Sequence, residues 1–148
     1  MTSEFSIAVH ALVYLNHMAK PLTSEVLAKN VCTNPARLRK VLAKLKKAGL
    51  VDTREGSEGG SSFDKDPQSV TLEQICLAVG EPVAECRFRT GSVDMDCLVA
   101  SGMGDVMDGI FAELNRLCLK RLGEITVKDI DSIIFDKAAK AAGRKRGQ

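Results

Sequence analysis

The chain has 148 residues, enough for one compact core, or one core with an extended arm, and too few for two ordinary domains. Hydrophobic residues make up 45%, charged residues 27% and aromatics only 4% with no Trp, which excludes a disordered chain or an aromatic β core and points to a mostly α protein. The net charge of +2 conceals a division. Residues 1–54 carry nine Lys/Arg against three Asp/Glu, residues 55–135 seven against fifteen, and residues 136–148 five against one. A basic amino-terminal module suited to phosphate is thus joined to an acidic remainder.

The five Cys are odd in number and irregularly spaced, and no signal peptide is evident, so a reducing cytoplasm is expected rather than a secreted disulfide framework. The apolar run Ile7 to Leu15 is interrupted by His10 and is too short to cross a bilayer, so no membrane role is expected.

In chain order, Phe5 to Met18 reads as a helix with two apolar stripes, Phe5, Ala8, Val9, Leu12 and Val13 on one and Ile7, Ala11, Tyr14 and Met18 on the other. Burial on two sides asks for a second partner, such as another subunit. Pro21-Leu22-Thr23-Ser24 breaks this helix and caps a short one ending near Val31. In Cys32-Thr33-Asn34-Pro35, Thr33 or Asn34 can cap a third helix, with Pro35 in the first helical position, where its missing N–H costs nothing. Leu38, Val41, Leu42 and Leu45 keep the 3.6-residue repeat, and Ala48-Gly49 ends it.

Leu50 to Arg54 reads as a short strand, Glu55 to Ser62 as a glycine-rich flexible tip, and Phe63 as the start of a return strand before Pro67. Thr71 and Gln74 form a capping-box pair for a helix with Leu72, Ile75, Cys76 and Val79 that stops at Gly80. Residues 81–102 lack periodicity and read as a loop. A long helix is expected from about Gly104 to Leu122, with Val106, Met107, Ile110, Phe111, Leu114, Leu117 and Cys118 on one stripe. Thr126 caps a last helix with Val127, Ile130, Ile133 and Ile134, and the Lys/Arg/Gly/Ala end reads as disordered. The expected division is a DNA-binding module over 1–80, a sensor-type loop over 81–102, dimerisation helices over 103–135 and a basic tail over 136–148.

Helix, helix, turn, helix and a hairpin with a glycine-rich tip is a winged helix-turn-helix, whose third helix enters the major groove. Between Thr33 and Lys47 that helix carries Arg37, Arg39, Lys40, Lys44, Lys46 and Lys47 and no acid. A solvated helix usually mixes signs to gain pairing along its surface, so the split asks for an anion, although a basic exposed face of a helical bundle would look the same. Thr33, Asn34, Ala36 and Arg37 lie at the end that reaches base edges, with Arg37 the candidate for a guanine. Arg39, Lys40 and Lys44 are candidates for phosphates, and Arg54 with the tip at Gly56 and Ser57 for the minor groove.

The segments SEFSIAVHALVYL, NPARLRKVLAKLKKAGLV, REGSEGG and VTLEQICLAV resemble the Rrf2 family of bacterial winged-helix repressors, over about residues 3–135 and most closely its YwnA-like branch. The resemblance implies a homodimer on a palindromic operator, with the long fifth helices paired through Val106, Ile110, Phe111, Leu114 and Leu117. One departure is at the wing. Where the family has Gly-Gly-Tyr and an aliphatic residue, this chain has Gly59-Gly60-Ser61-Ser62-Phe63, which implies a weaker return strand. Several family members hold an iron-sulfur cluster on three clustered Cys before the long helix; here only Cys86 and Cys97 stand in that loop, so no cofactor is expected.

Cys32, Cys86 and Cys97 are candidate redox-sensitive thiols, Cys32 because it stands at the basic start of the third helix. The competing reading makes them small structural residues, as Cys76 and Cys118 on apolar faces are expected to be. His10 and His17 have no companions at metal-ligand spacing, so no metal site is expected. The chain has neither a phosphate-binding glycine loop nor a nucleophile motif, so it is not expected to be an enzyme. The alternative function is a winged-helix protein-docking module, which the basic third helix argues against.

Overall fold

The computed structural model describes residues 3–56, 59–80, 82–85 and 88–145. Its elements are α1 (Ser3–Met18), α2 (Ser24–Val31), α3 (Pro35–Lys47), β1 (Asp52–Arg54), β2 (Gly60–Ser62), α4 (Leu72–Val79), α5 (Leu98–Gly123) and α6 (Val127–Lys145). The helix starts follow from their caps. Thr23 Oγ1 accepts from the N–H of Val26 at 3.3 Å, and Asn34 Oδ1 from that of Ala36 at 2.8 Å, so Asn34 rather than Thr33 opens α3. Thr71 and Gln74 close both halves of a capping box. Thr126 and Asp129 bond reciprocally in the same way at the start of α6.

One core holds the first four helices together. Leu12 and Leu15 of α1, Leu27 of α2, Leu38, Val41 and Leu45 of α3, and Ile75 and Val79 of α4 are buried in it. Each such side chain contributes about 1.5–3 kcal/mol over its exposed state. Both stripes of α1 are covered within the same chain: Ile7 and Ala11 are buried in the core with Tyr14 and Met18 packed against it, and Leu72 of α4 and Ile130 and Ile134 of α6 lie beside Phe5, Val9 and Val13. α1 therefore does not need another subunit.

The wing differs from expectation in its return strand, which starts inside the glycine-rich run. β1 and β2 are antiparallel, with Asp52 opposite Ser62, Thr53 opposite Ser61 and Arg54 opposite Gly60. Ser61 also exchanges two backbone hydrogen bonds of 2.9 Å with Leu22. Gly60 has φ +149°, and a Cβ there would lie 2.4 Å from the carbonyl oxygen of Leu22, so close strand passage requires glycine. Ser61 and Ser62 are buried, and Ser62 Oγ donates to Asp64 at 2.8 Å. Phe63 follows the strand and enters the core. The serines that replace the family's Tyr and aliphatic residue thus still form a strand.

Two further boundaries move. α5 begins at Leu98 rather than near Gly104, and α6 continues to Lys145 through much of the basic segment expected to be disordered.

Candidate nucleic-acid interface

The four leucine and valine positions of α3 turn inward, so the intervening cations must turn outward. Arg37, Arg39, Lys40, Lys46 and Lys47 are all exposed, and among the described residues Lys40, Lys46 and Lys47 make no ion pair. Arg37 donates to the Ser3 hydroxyl, a neutral partner that leaves its charge uncompensated. Arg39 lies 3.2 Å from Glu25 Oε1 and 3.4 Å from Ser24 Oγ. Thr33 is half-buried, and Asn34 is exposed with its side-chain carbonyl engaged in the cap.

Lys44 has a different setting from the other cations. Its amine is 2.6 Å from Glu4 Oε2 and 2.8 Å from the Val79 carbonyl, which ties α3 to α1 and to the carboxyl end of α4. An ammonium held in this way ties α3 to its neighbours and has its charge paired within the chain. Arg54 ends β1 exposed, and Gly56 turns the tip at φ +116°; Ser57 lies outside the described residues.

The candidate thiols separate into different settings. Cys32 is exposed but ends α2 in the left-handed region (φ 56°, ψ 48°), with Sγ 3.7 Å from the Lys29 carbonyl. Cys97 is exposed at the position before α5, where the backbone N–H groups of Ala100 and Val99 hold its thiol below the usual range without closing a cap hydrogen bond. Cys86 lies outside the described residues. Cys76 is buried and Cys118 half-buried. Among the described residues no three of His, Cys, Asp and Glu stand together as a metal-binding group.

α5 has two unlike sides. One faces its own chain: Asn115 bonds both backbone groups of Ala84 (2.7 and 2.5 Å), and Arg89 pairs with Asp105 and, at 2.8 Å, with Asp108. A Cβ on Gly104 would lie 2.3 Å from Arg89 Nε, so this glycine makes room for the guanidinium. The other side carries Val106, Ile110, Leu114 and Leu117, 42–60% exposed. Phe111 differs from these four in exposure. It is half-buried, one residue and about 100° of helical rotation from Ile110, toward the side of Asn115.

The profile of a family described as Rrf2, iron-dependent transcriptional regulator, matches residues 1–132. YwnA of Bacillus subtilis, named an HTH-type transcriptional regulator, is 27% identical over 135 residues, covering 91% of this chain and 99% of YwnA. The HTH-type transcriptional regulator IscR of Escherichia coli is 29% identical over 127 residues, covering 82% of this chain and 78% of IscR. A crystal structure of a transcriptional regulator from Lactobacillus plantarum superposes with a TM-score of 0.80 at 23% identity, covering both chains fully. These relatives are named as regulators of transcription, and no helix among the described residues is long and apolar enough to cross a membrane.

Proposed function

Because the chain belongs to the Rrf2 family of DNA-binding transcriptional regulators, we propose that it acts as a homodimeric repressor with α3 in the major groove of a palindromic operator. The observation that carries this reading is the outward row of Arg37, Arg39, Lys40, Lys46 and Lys47 on a helix with no acid of its own. Arg37, near the amino end of α3, is the base reader, and Lys40 and Lys47 meet phosphates. Arg54 and the tip at Gly56 approach the minor groove.

The exposed stripe Val106, Ile110, Leu114 and Leu117 pairs with its equivalent on a second copy, since four apolar side chains in one row gain most by covering each other. Residues 1–80 then read DNA, α5 joins the two readers, and the segment 81–97 connects these parts in the chain. Cys97 is the thiol best placed to respond to oxidants or electrophiles, being exposed and biased toward thiolate. No resident cofactor is part of this reading, and no catalytic role is assigned.

Footprinting of the purified protein on the DNA upstream of its own gene tests the proposal. Protection of two dyad-related half-sites about one helical turn apart, or a multiple of that, is expected. Absence of a footprint, with salt-insensitive binding to a protein partner, would instead identify a docking module. Alkylation of Cys97 is expected to change operator affinity in the wild type and not in Cys97→Ser; equal affinity before and after removes the thiol response.

A further inference from the structure

Between the amino end of α2, the outer face of α3 and the wing lies a cleft of about 330 Å3. Ser24 of α2, Arg39 and Lys46 of α3, Thr53 of β1 and Ser61 of β2 line it together with Leu42 and Gly60. Two cations and three hydroxyl side chains line it, and among the described residues no carboxylate does. That is the donor set for a tetrahedral oxyanion: the hydroxyls donate single hydrogen bonds, the guanidinium a fork, and the ammonium a point charge.

A carboxylate at the rim already shows this chemistry. Glu25 Oε1 accepts from Ser24 Oγ at 3.3 Å and lies 3.2 Å from Arg39 Nη1. Its own backbone N–H, then Ser24 and Arg39, hold the Glu25 carboxyl below its usual range, so it is anionic at neutral pH. An ion pair in which both side chains are more than half exposed is weak and exchanges readily. A second anion arriving at Arg39 must either displace Glu25 or share the guanidinium with a like charge close by.

We propose that this cleft seats one backbone phosphate of bound duplex DNA and that Glu25, by holding Arg39, restrains the affinity of the seat. The inference rests on the DNA-binding reading and adds to it. Ser24, Lys46 and Thr53 become phosphate ligands, and Arg39 contributes fully only when Glu25 releases it. The wing gains a second role, because β1 supplies one wall of the seat as well as leading to the tip.

The test measures binding of the full chain to a mixed-sequence duplex across a range of salt concentrations. Glu25→Gln keeps the shape and hydrogen bonding of the side chain and removes its charge. It is expected to raise affinity about two- to fivefold, the worth of an exposed ion pair. It should also steepen the slope of log affinity against log salt by about one phosphate's share. Lys46→Ala is expected to weaken binding and flatten that slope by a similar amount. In the Arg39→Ala background the gain from Glu25→Gln should vanish, whereas a gain that survives there is a general charge effect and overturns the restraint. Unchanged or weaker binding by Glu25→Gln, with an unchanged circular dichroism spectrum and melting temperature, also overturns it, since Glu25 would then be inert or would be positioning Arg39. Failure of the wild type to bind duplex at all removes the DNA reading itself; binding by the wild type with no gain in Glu25→Gln removes the inference alone.

Discussion

α3 and α5 both place aliphatic residues at helical spacing, yet they meet opposite environments. In α3, Leu38, Val41 and Leu45 are 0% exposed, while in α5, Val106, Ile110, Leu114 and Leu117 remain about half exposed. α3 has α1, α2 and α4 to bury against, so its stripe is used up in the core and its polar side is free for a ligand. α5 packs on its own chain through a different side, the one with Gly104, Asn115 and Leu119, and its outer stripe is left for another molecule. Apolar periodicity announces that a face will be covered; only the surrounding elements decide whether the cover comes from the same chain.

The largest expected effect that separates the two helices is on folding. Leu45→Ala should cost about 2–5 kcal/mol in chemical denaturation, as a fully buried leucine does. A loss below about 1 kcal/mol would mean that α3 is not part of the core. Ile110→Glu in the outer stripe should leave the winged-helix core folded and weaken self-association by about 2–4 kcal/mol, the range of a central interface residue. Sedimentation at several concentrations would read this, and an unchanged assembly state would show that α5 does not join two copies.

Asn34→Ala sharpens the comparison at the helix starts. α3 has a side-chain cap with a 2.8 Å hydrogen bond, whereas Cys97 before α5 closes none, so removing Asn34 should cost about 1 kcal/mol and Cys97→Ala markedly less. Melting curves of the two variants check the order. The smallest effect concerns Lys44→Met, which removes the tie to Glu4 and Val79 and should lower stability by at most about 1 kcal/mol. It should leave the salt slope of DNA binding unaltered; a flatter slope would return Lys44 to the interface.

Much of this was legible in the sequence because local chemistry decided it. Asn34-Pro35, the Thr71–Gln74 pair and Gly80 act within one helical turn, and the first four helices begin and end close to where those residues place them. The inward row of α3 likewise implied the outward one. What escaped depends on distant partners. Lys44 reads as one more phosphate ligand until Glu4, forty residues earlier, is brought beside it. The start of β2 depends on Gly60 passing the backbone of Leu22, which the glycine run read as a mobile tip conceals. The lack of periodicity over residues 81–102 put the start of α5 too late, and Gly104, which makes room for Arg89, lies within the helix. Phe111 keeps the helical spacing of the stripe, and only the packing around it makes it half-buried where Ile110 is exposed. The restraint on Arg39 carries no sequence signature, since Glu25 and Arg39 lie on different helices.

The central claim is that the outward cations of α3 meet the phosphates of duplex DNA. Affinity for duplex DNA measured against salt concentration, for the wild type beside a variant with Arg37, Lys40 and Lys47 all replaced by Ala, tests it most directly. The account predicts a steep fall of wild-type affinity with salt and a slope in the variant shallower by as many phosphates as those side chains contact, close to one each. Equal slopes for the two proteins, with both still binding, would contradict it.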